Sequence, residues 1–419
     1  MRVLITGSSG QIGTNLALRL LAGGHEVFGI DKRLNRWTDA FRYLLQDLSG
    51  HYPSYPTGIG GVEYPPADVV VHLAAHAKVH QLVQQPHRAL ENMTMTFNVL
   101  EYCRQTATPI IFSSSREVYG DVHRFTTEEA SADFAFTEST YSASKIAGEA
   151  LIYSYARCYG LPYLVFRFSN VYGRYDNDIE RMERVIPLFV RRISRDEPIT
   201  IYGPEKILDF TYVDDCIDGI VRGIYALTGG AVKNQTINLA YGQGRTLIRM
   251  AELVGEALGI APRITVAPPL VGEVTHYVAN IQKAQELLGY APDVPLEEGI
   301  RRAITWSQAW AMLHPAPPPG NGTAPAVAGT SGGSSNPAPP AGILPPLGFK
   351  YDPTELLPYR PGQAAVLSEF LPPRAAPTDP AADPAPSRTV HPYQPGEAAV
   401  LADLLALPED ADGDEEGQS

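Results

Sequence analysis

The chain has 419 residues and a formal net charge of −13, but residues 313–419 hold 22 of its 37 prolines and 13 acidic against 4 basic residues, so the first 312 residues carry a net of only −4. A body of that size buries enough surface to fold without disulfides, and Cys103, Cys158 and Cys216, with no CxxC spacing, read as reduced cytoplasmic thiols. No apolar run approaches a membrane span, the opening strand leaves no room for a signal peptide, and an acidic chain without a basic cluster is not expected to bind nucleic acid.

Strand-like and helix-like segments alternate from the start. Val3–Ile5 is a short apolar run that ends in a glycine cluster. Ile12–Ala22 follows at helical spacing and stops at Gly23 and Gly24. Strands are expected at Val27–Ile30, Phe41–Leu45, Val69–Leu73, Pro109–Phe112 and Tyr163–Phe168, and helices at Leu90–Arg104 and Tyr141–Tyr159. Apolar runs without alternation mark strands buried on both faces, and their alternation with helices means βαβ units and a parallel sheet. The Gly/Pro/Tyr stretch Gly50–Pro66 stands where a crossover helix would usually sit. After Asn170 the pattern loosens into a smaller mixed α/β unit, with Asp209–Gly223 and Gln235–Leu239 expected to return to the main sheet. Residues 313–419 read as a disordered Pro/Ala/Gly-rich acidic tail. Within it, residues 358–371 and 392–405 repeat one pattern, a Pro-Gly start and apolar positions at helical spacing, which suits docking to a protein partner.

Three motifs carry chemistry. Thr6-Gly7-Ser8-Ser9-Gly10-Gln11-Ile12-Gly13 joins the first strand to the first helix, where glycines allow a tight turn and the helix N-terminus offers unpaired N–H groups to a pyrophosphate. Asp31, at the end of the next strand, suits the two ribose hydroxyls of NAD; the adjacent Lys32 and Arg33 leave NADP open. Tyr141-Ser142-Ala143-Ser144-Lys145 puts a phenol and an ammonium on one helix face, where the ammonium would lower the phenol's pKa. Ser113-Ser114-Ser115-Arg116-Glu117-Val118-Tyr119-Gly120 follows a strand, at the sheet edge that lines a ligand crevice. His72, His76 and His80 would share a face only on a continuous helix, so no metal site is expected.

In order and spacing, these motifs resemble the extended short-chain dehydrogenase/reductase family, of the NAD-dependent nucleotide-sugar epimerase/dehydratase type. Further likenesses are His72-Leu73-Ala74-Ala75, Asn92, Arg167-Phe168-Ser169-Asn170 and Asp209-Phe210-Thr211-Tyr212. The resemblance spans roughly residues 1–312. It implies an α/β fold: a Rossmann-like NAD-binding domain over 1–170, joined by segments near 209–240, and a substrate unit over 171–312. It implies that Tyr141 is the general base and acid, that Ser115 is its hydroxyl partner, and that Lys145 holds the nicotinamide ribose. Gly7, Gly10, Gln11, Ile12 and Gly13 would cradle the pyrophosphate, and Asp31 would meet the adenosine ribose. Asp47 and Leu48 would flank adenine, while Ala74, Ala75, Lys78 and Asn92 would line the cofactor. Asn170, and Arg174 as a substitute cation, would contact the sugar nucleotide. The implied reaction is epimerisation through a keto intermediate. A homodimer through the Tyr141–Tyr159 helix is compatible with Leu151, Ile152 and Tyr155.

Two departures bear on the outcome. Dehydratases of the family carry Thr-Asp-Glu where this chain has Ser115-Arg116-Glu117, which disfavours water loss, while Glu117 keeps open the decarboxylation of a uronate nucleotide. Two arginines that commonly hold the substrate's diphosphate are replaced by Leu208 and Leu270, which leaves Arg174, Arg181 and Lys206 as alternative cations or else an atypical substrate. The run Arg181, Arg184, Arg191, Arg192 and Arg195 is a second candidate patch. A third reading is a sensor that holds NAD and signals through its tail; the complete Ser115, Tyr141 and Lys145 set speaks against it.

Overall fold

The computed structural model describes residues 1–50, 58–59, 62–63, 66–121, 127–132, 137–176, 184–270 and 272–313. The tail repeats at 358–371 and 392–405, and Arg181, lie outside the described residues. In chain order the first part contains β1 (Arg2–Thr6), α1 (Gln11–Ala22), β2 (Glu26–Asp31), β3 (Arg42–Leu45), β4 (Gly58–Ile59), β5 (Val62–Glu63), β6 (Val69–His72), α2 (Val79–Gln84), α3 (His87–Thr106), β7 (Ile110–Ser115), α4 (Thr140–Tyr159), β8 (Tyr163–Phe168) and β9 (Asn170–Tyr172). The second contains α5 (Val185–Ser194), β10 (Ile199–Tyr202), β11 (Ile207–Tyr212), α6 (Val213–Thr228), β12 (Gln235–Leu239), β13 (Gly244–Thr246), α7 (Leu247–Leu258), β14 (Ile264–Ala267), β15 (His276–Tyr277), α8 (Gln282–Leu288) and α9 (Leu296–Leu313).

Seven strands form one sheet in the order β12-β8-β7-β6-β1-β2-β3, all neighbours parallel. Successive side chains of a strand leave on opposite faces, and both faces here are covered. Val3, Ile5, Val69, Val71 and Phe166 join Leu16 of α1 and Ile220 of α6 in one core layer. Leu4, Val70, Ile110, Phe112 and Val165 join Val99 of α3 and Ile152 of α4 in the other. Each such fully buried aliphatic side chain contributes about 1.5–3 kcal/mol over exposure, which explains why these strands read as unbroken apolar runs. This is the α/β, Rossmann-like sheet expected from the sequence. The strand order reverses direction between β1 and β6, which opens a crevice at the carboxyl ends of those strands. Between β3 and β6, where a crossover helix was not expected, the described residues form the β4–β5 hairpin.

One expectation needs correction. β12 lies in the main sheet, but β11, which contains Asp209, does not: it pairs with β9, β13 and β15 in a second sheet. The cause is local. β12 takes the edge of β8, and the buried Asp209 carboxylate accepts N–H bonds from Tyr241, Gly242 and Ala279, which ties β11 to the loops around it. Burial pushes the Asp209 carboxyl up to about 7 against the pull of those three donors. The apolar core does not break at residue 170, since Phe189 of α5 and Met250 of α7 belong to the same cluster as Val3.

Helix α4 is fastened by a buried ion pair. Arg167 of β8 donates through Nε to Glu149 Oε1 at 2.8 Å and through Nη2 to Oε2 at 2.6 Å, and Ser114 Oγ donates to the same Oε1 at 2.5 Å. The Arg167 guanidinium lies 4.9 Å from the Tyr119 ring centroid. Removing the cation would strand a carboxylate away from water. Arg167→Met should therefore lower unfolding free energy by about 3–5 kcal/mol, measured by urea titration, and the double variant with Glu149→Gln should recover part of that loss.

Candidate active site

The carboxyl ends of the parallel strands open on a cavity of about 1160 Å³. One end is built by the turn between β1 and α1. Gly7 has φ +73°, and a Cβ there would come within 2.7 Å of the Ala74 nitrogen; one at Gly13 would come within 2.3 Å of the Gly7 carbonyl oxygen. Only glycine fits either place, so the turn lies close against the loop after β6 and α1 starts close against the turn. No side chain caps the N-terminus of α1, and its first N–H groups remain for an anion. Gly7, Gly10, Gln11, Ile12 and Gly13 all line the cavity, as do Asp31, Asp47, Leu48, Ala74, Ala75 and Lys78.

Asp31 is held in place by its neighbours: Oδ2 accepts the Ser9 N–H at 3.0 Å and Oδ1 accepts the Arg33 N–H at 2.9 Å. Lys32 sits 3.6 Å from Asp47, and Arg33 Nε sits 3.7 Å from Asp31. Both cations that could favour a 2′-phosphate thus stand beside carboxylates, a balance that suits ribose hydroxyls better.

The catalytic candidates meet at the edge of β7. Tyr141 is hydrogen-bonded to Ser115, and Ser115 Oγ also accepts the Glu117 N–H at 3.2 Å. Lys145 Nζ donates to the Ser113 carbonyl at 2.7 Å and lies 5.9 Å from the centre of the Tyr141 ring. One N–H of the ammonium is used on the strand, and burial of the phenol outweighs the lowering expected for Tyr141. Burial pushes the Tyr141 phenol up to about 12, partly offset by its Ser115 bond. Burial pulls Lys145 down to about 8, with Glu149 opposing. Glu117 is buried and paired through Oε1 with Arg116 at 2.8 Å, while its Oε2 and Arg116 Nη1 have no hydrogen-bond partner. Burial raises the Glu117 carboxyl above its ordinary range, and Arg116 only partly counters it.

Asn170 lines the cavity and donates to the Asp209 carbonyl at 3.0 Å. Two other candidates do not line it. Arg174 is tied to Asp214 at 2.7 Å and to Asn15 at 2.8 Å, which removes it as a substitute cation. Asn92 instead fastens the loop after β6 to α4: it accepts the His76 N–H at 2.7 Å and donates to Ser144 at 3.1 Å. Of the arginine run, Arg184 lines the cavity, and its Nη1 donates to Gln11 Oε1 and to the Val171 carbonyl. Its helical spacing gave no sign of that reach. His72 is buried between Thr6 and Thr96, and burial pulls it down to about 3, so it stays neutral.

Known proteins resemble this chain in sequence and in fold. The model of the NAD dependent epimerase/dehydratase family matches residues 3–240. The chain is 29% identical over 335 residues to a probable UDP-glucuronate 4-epimerase of Rhizobium meliloti (strain 1021), covering 73% of this chain and 96% of that one. It is 30% identical over 312 residues to UDP-glucuronic acid decarboxylase 1 of Xenopus tropicalis, covering 72% and 71%. Among solved structures, the UDP-glucose 4-epimerase of Thermus thermophilus in complex with NAD aligns with a TM-score of 0.64 at 28% identity, covering 74% of this chain and 99% of that one.

The lowered Lys145 pKa has a stability consequence. Its folded value of about 8 lies below the ordinary 10.5, so the folded chain binds this proton less readily than the unfolded one. The associated stability is present in full above 10.5 and is lost as pH falls through about 8. Lys145→Met should therefore melt higher than the wild type at pH 6.5, and the gap should narrow between pH 8 and 10 in thermal melts.

Proposed function

We propose a reaction for this chain from its membership of the NAD-dependent epimerase/dehydratase family, to which it belongs: epimerisation of a sugar nucleotide at a hydroxyl-bearing ring carbon. It is an NAD-dependent enzyme that acts on sugar nucleotides. The observation that carries the reading is the meeting of Ser115, Tyr141 and Lys145 in one cavity with the glycine turn. That turn, which any Cβ at Gly7 or Gly13 would fill, and Asp31 beyond it, fit a dinucleotide. When bound, NAD supplies a hydride acceptor that returns what it takes.

The chain's own residues do the rest. Tyr141 takes the proton of the sugar hydroxyl and returns it, with Ser115 aligning the oxygen that gains and loses charge. A phenol held near 12 is a reluctant base, so positive charge must favour the phenolate; Arg116 and Arg184 act in that direction, and Glu117 opposes them. Lys145, fixed to Ser113, is placed to hold a ribose hydroxyl. Asn170, fixed to β11, faces the sugar nucleotide.

A second reading is decarboxylation of a uronate nucleotide. It is favoured by Glu117, which lines the same cavity and whose carboxyl burial holds protonated more readily than usual. The relative from Xenopus tropicalis supports it, while the one from Rhizobium meliloti supports epimerisation of the same class of sugar.

The reading includes a cytoplasmic setting, which the three free cysteines suit, a protein partner for the tail repeats, and a homodimer through α3 and α4. Ile152 and Tyr155 are buried in the core, and Leu151 packs against it partly buried. The outer face shows Leu90, Phe97 and Tyr159 instead.

NMR of the products formed from UDP-glucose and UDP-glucuronate separates the two readings: a ring epimer is expected, and release of carbon dioxide would select the second. Tyr141→Phe should lower kcat by about 100-fold or more while leaving NAD binding in place; retained turnover would show that another group is the base.

A further inference from the structure

The second sheet contributes a cavity wall that is mostly hydrocarbon. Leu208, Phe210 and Leu270 line it, and Lys206 is the cation among them. Lys206 precedes β11 and keeps its alternation, so it leaves on the same side as Leu208. Its methylene stem is fixed. The turn closes with the Lys206 N–H donating to the Gly203 carbonyl at 3.1 Å. Gly203 has φ +71°, and a Cβ there would stand 2.8 Å from Lys206 Cε. The lysine is aimed, with little freedom left to lose on binding.

What it meets is an anion of the protein's own. Lys206 Nζ donates to Glu273 Oε2 at 2.5 Å, and the same oxygen accepts the Leu270 N–H at 3.3 Å. An ammonium and a backbone N–H converging on one carboxylate oxygen make an anion site with a carboxylate in it. The partners are unequal: the Lys206 side chain is 5% exposed and that of Glu273 is 32% exposed. A buried ammonium needs an anion beside it, whereas Glu273 reaches water easily and can be replaced.

We propose that Lys206 and the Leu270 N–H hold the diphosphate of the substrate, and that Glu273 is a built-in competitor which the phosphate displaces. This rests on the sugar-nucleotide reading. Among the described residues, the other cations near the wall also have partners within the protein, although Arg116 keeps Nη1 unpartnered. Arg245, opposite Leu208 in the β11–β13 register, bonds to the Gly244 carbonyl and Gln243. Arg116 is paired with Glu117, and Arg184 is held at the glycine-turn end by Gln11.

A merely structural ion pair fails the same way whichever partner is removed. A displaceable competitor gives opposite signs. Calorimetric titration with UDP, dTDP and GDP, on the full chain loaded with NAD, reads this directly. Lys206→Met should weaken nucleoside diphosphate binding by about tenfold or more, and with sugar nucleotide the loss should fall on KM rather than kcat. Glu273→Gln should tighten it several-fold. If Lys206→Met does not fold, the sign of the Glu273→Gln effect decides alone. Weakening in both variants, or indifference in both, overturns the site while leaving the sugar-nucleotide reading intact. A wild-type protein that binds none of the three diphosphates and turns over no sugar nucleotide overturns both.

Discussion

A carboxylate buried against a β-sheet is tolerable only if a cation meets it well, and the two parallel bonds from Arg167 to Glu149 do so. That clamp sets the position of α4 along β7 and β8. Tyr141, Lys145 and Glu149 lie at i, i+4 and i+8, one stripe of the helix. Their partners are Ser115, the Ser113 carbonyl and Ser114, three consecutive residues of one strand edge. The Tyr141 phenol is therefore located by the same interdigitation that buries the helix. The glycine turn does the equivalent for α1, because Gly7 lets the turn approach the loop after β6 and Gly13 lets the helix start close against the turn.

The same burial that positions these groups also moves their protons. Desolvation disfavours whichever form is charged, so it drives Tyr141 up and Lys145 down, away from the states that catalysis by a phenolate wants. Ser115, Arg116 and Arg184 pull the phenol back down, while Glu117, paired with Arg116, pushes it further up. Arg116 in turn steadies Glu117, whose second oxygen is buried without a partner. The electrostatics of the site are thus shared between the end of β7 and the residue that precedes α5, elements far apart along the chain.

Much of this was legible in the sequence because it is local. Unbroken apolar runs announced strands covered on both faces, glycines spaced at a strand end announced the turn, and Tyr141 with Lys145 announced one helix face. What failed to show is what depends on remote partners. The sheet to which β11 belongs is decided by donors at Tyr241, Gly242 and Ala279. Arg174 looked available until Asp214 and Asn15 met it, and Asn92 proved to fasten a loop rather than to face the cavity. Arg184 was one of five arginines on a helical stretch, and its bonds to Gln11 and to the Val171 carbonyl are what carry it to the cavity.

The substrate wall poses a balance of a different kind. Two leucines and a phenylalanine there lower the local dielectric, which strengthens every charge interaction made against it and raises the cost of any charge left alone. A lone buried lysine on such a wall would destabilise the fold, and Glu273 prevents that by standing in when no phosphate is present. The carboxylate thereby sets how strongly an anion must bind before it enters: it has to outdo an ion pair already formed, so weakly charged sugars are refused and a diphosphate is admitted. Stability without substrate and selectivity for it then come from one interaction, in a wall whose hydrocarbon makes that interaction strong.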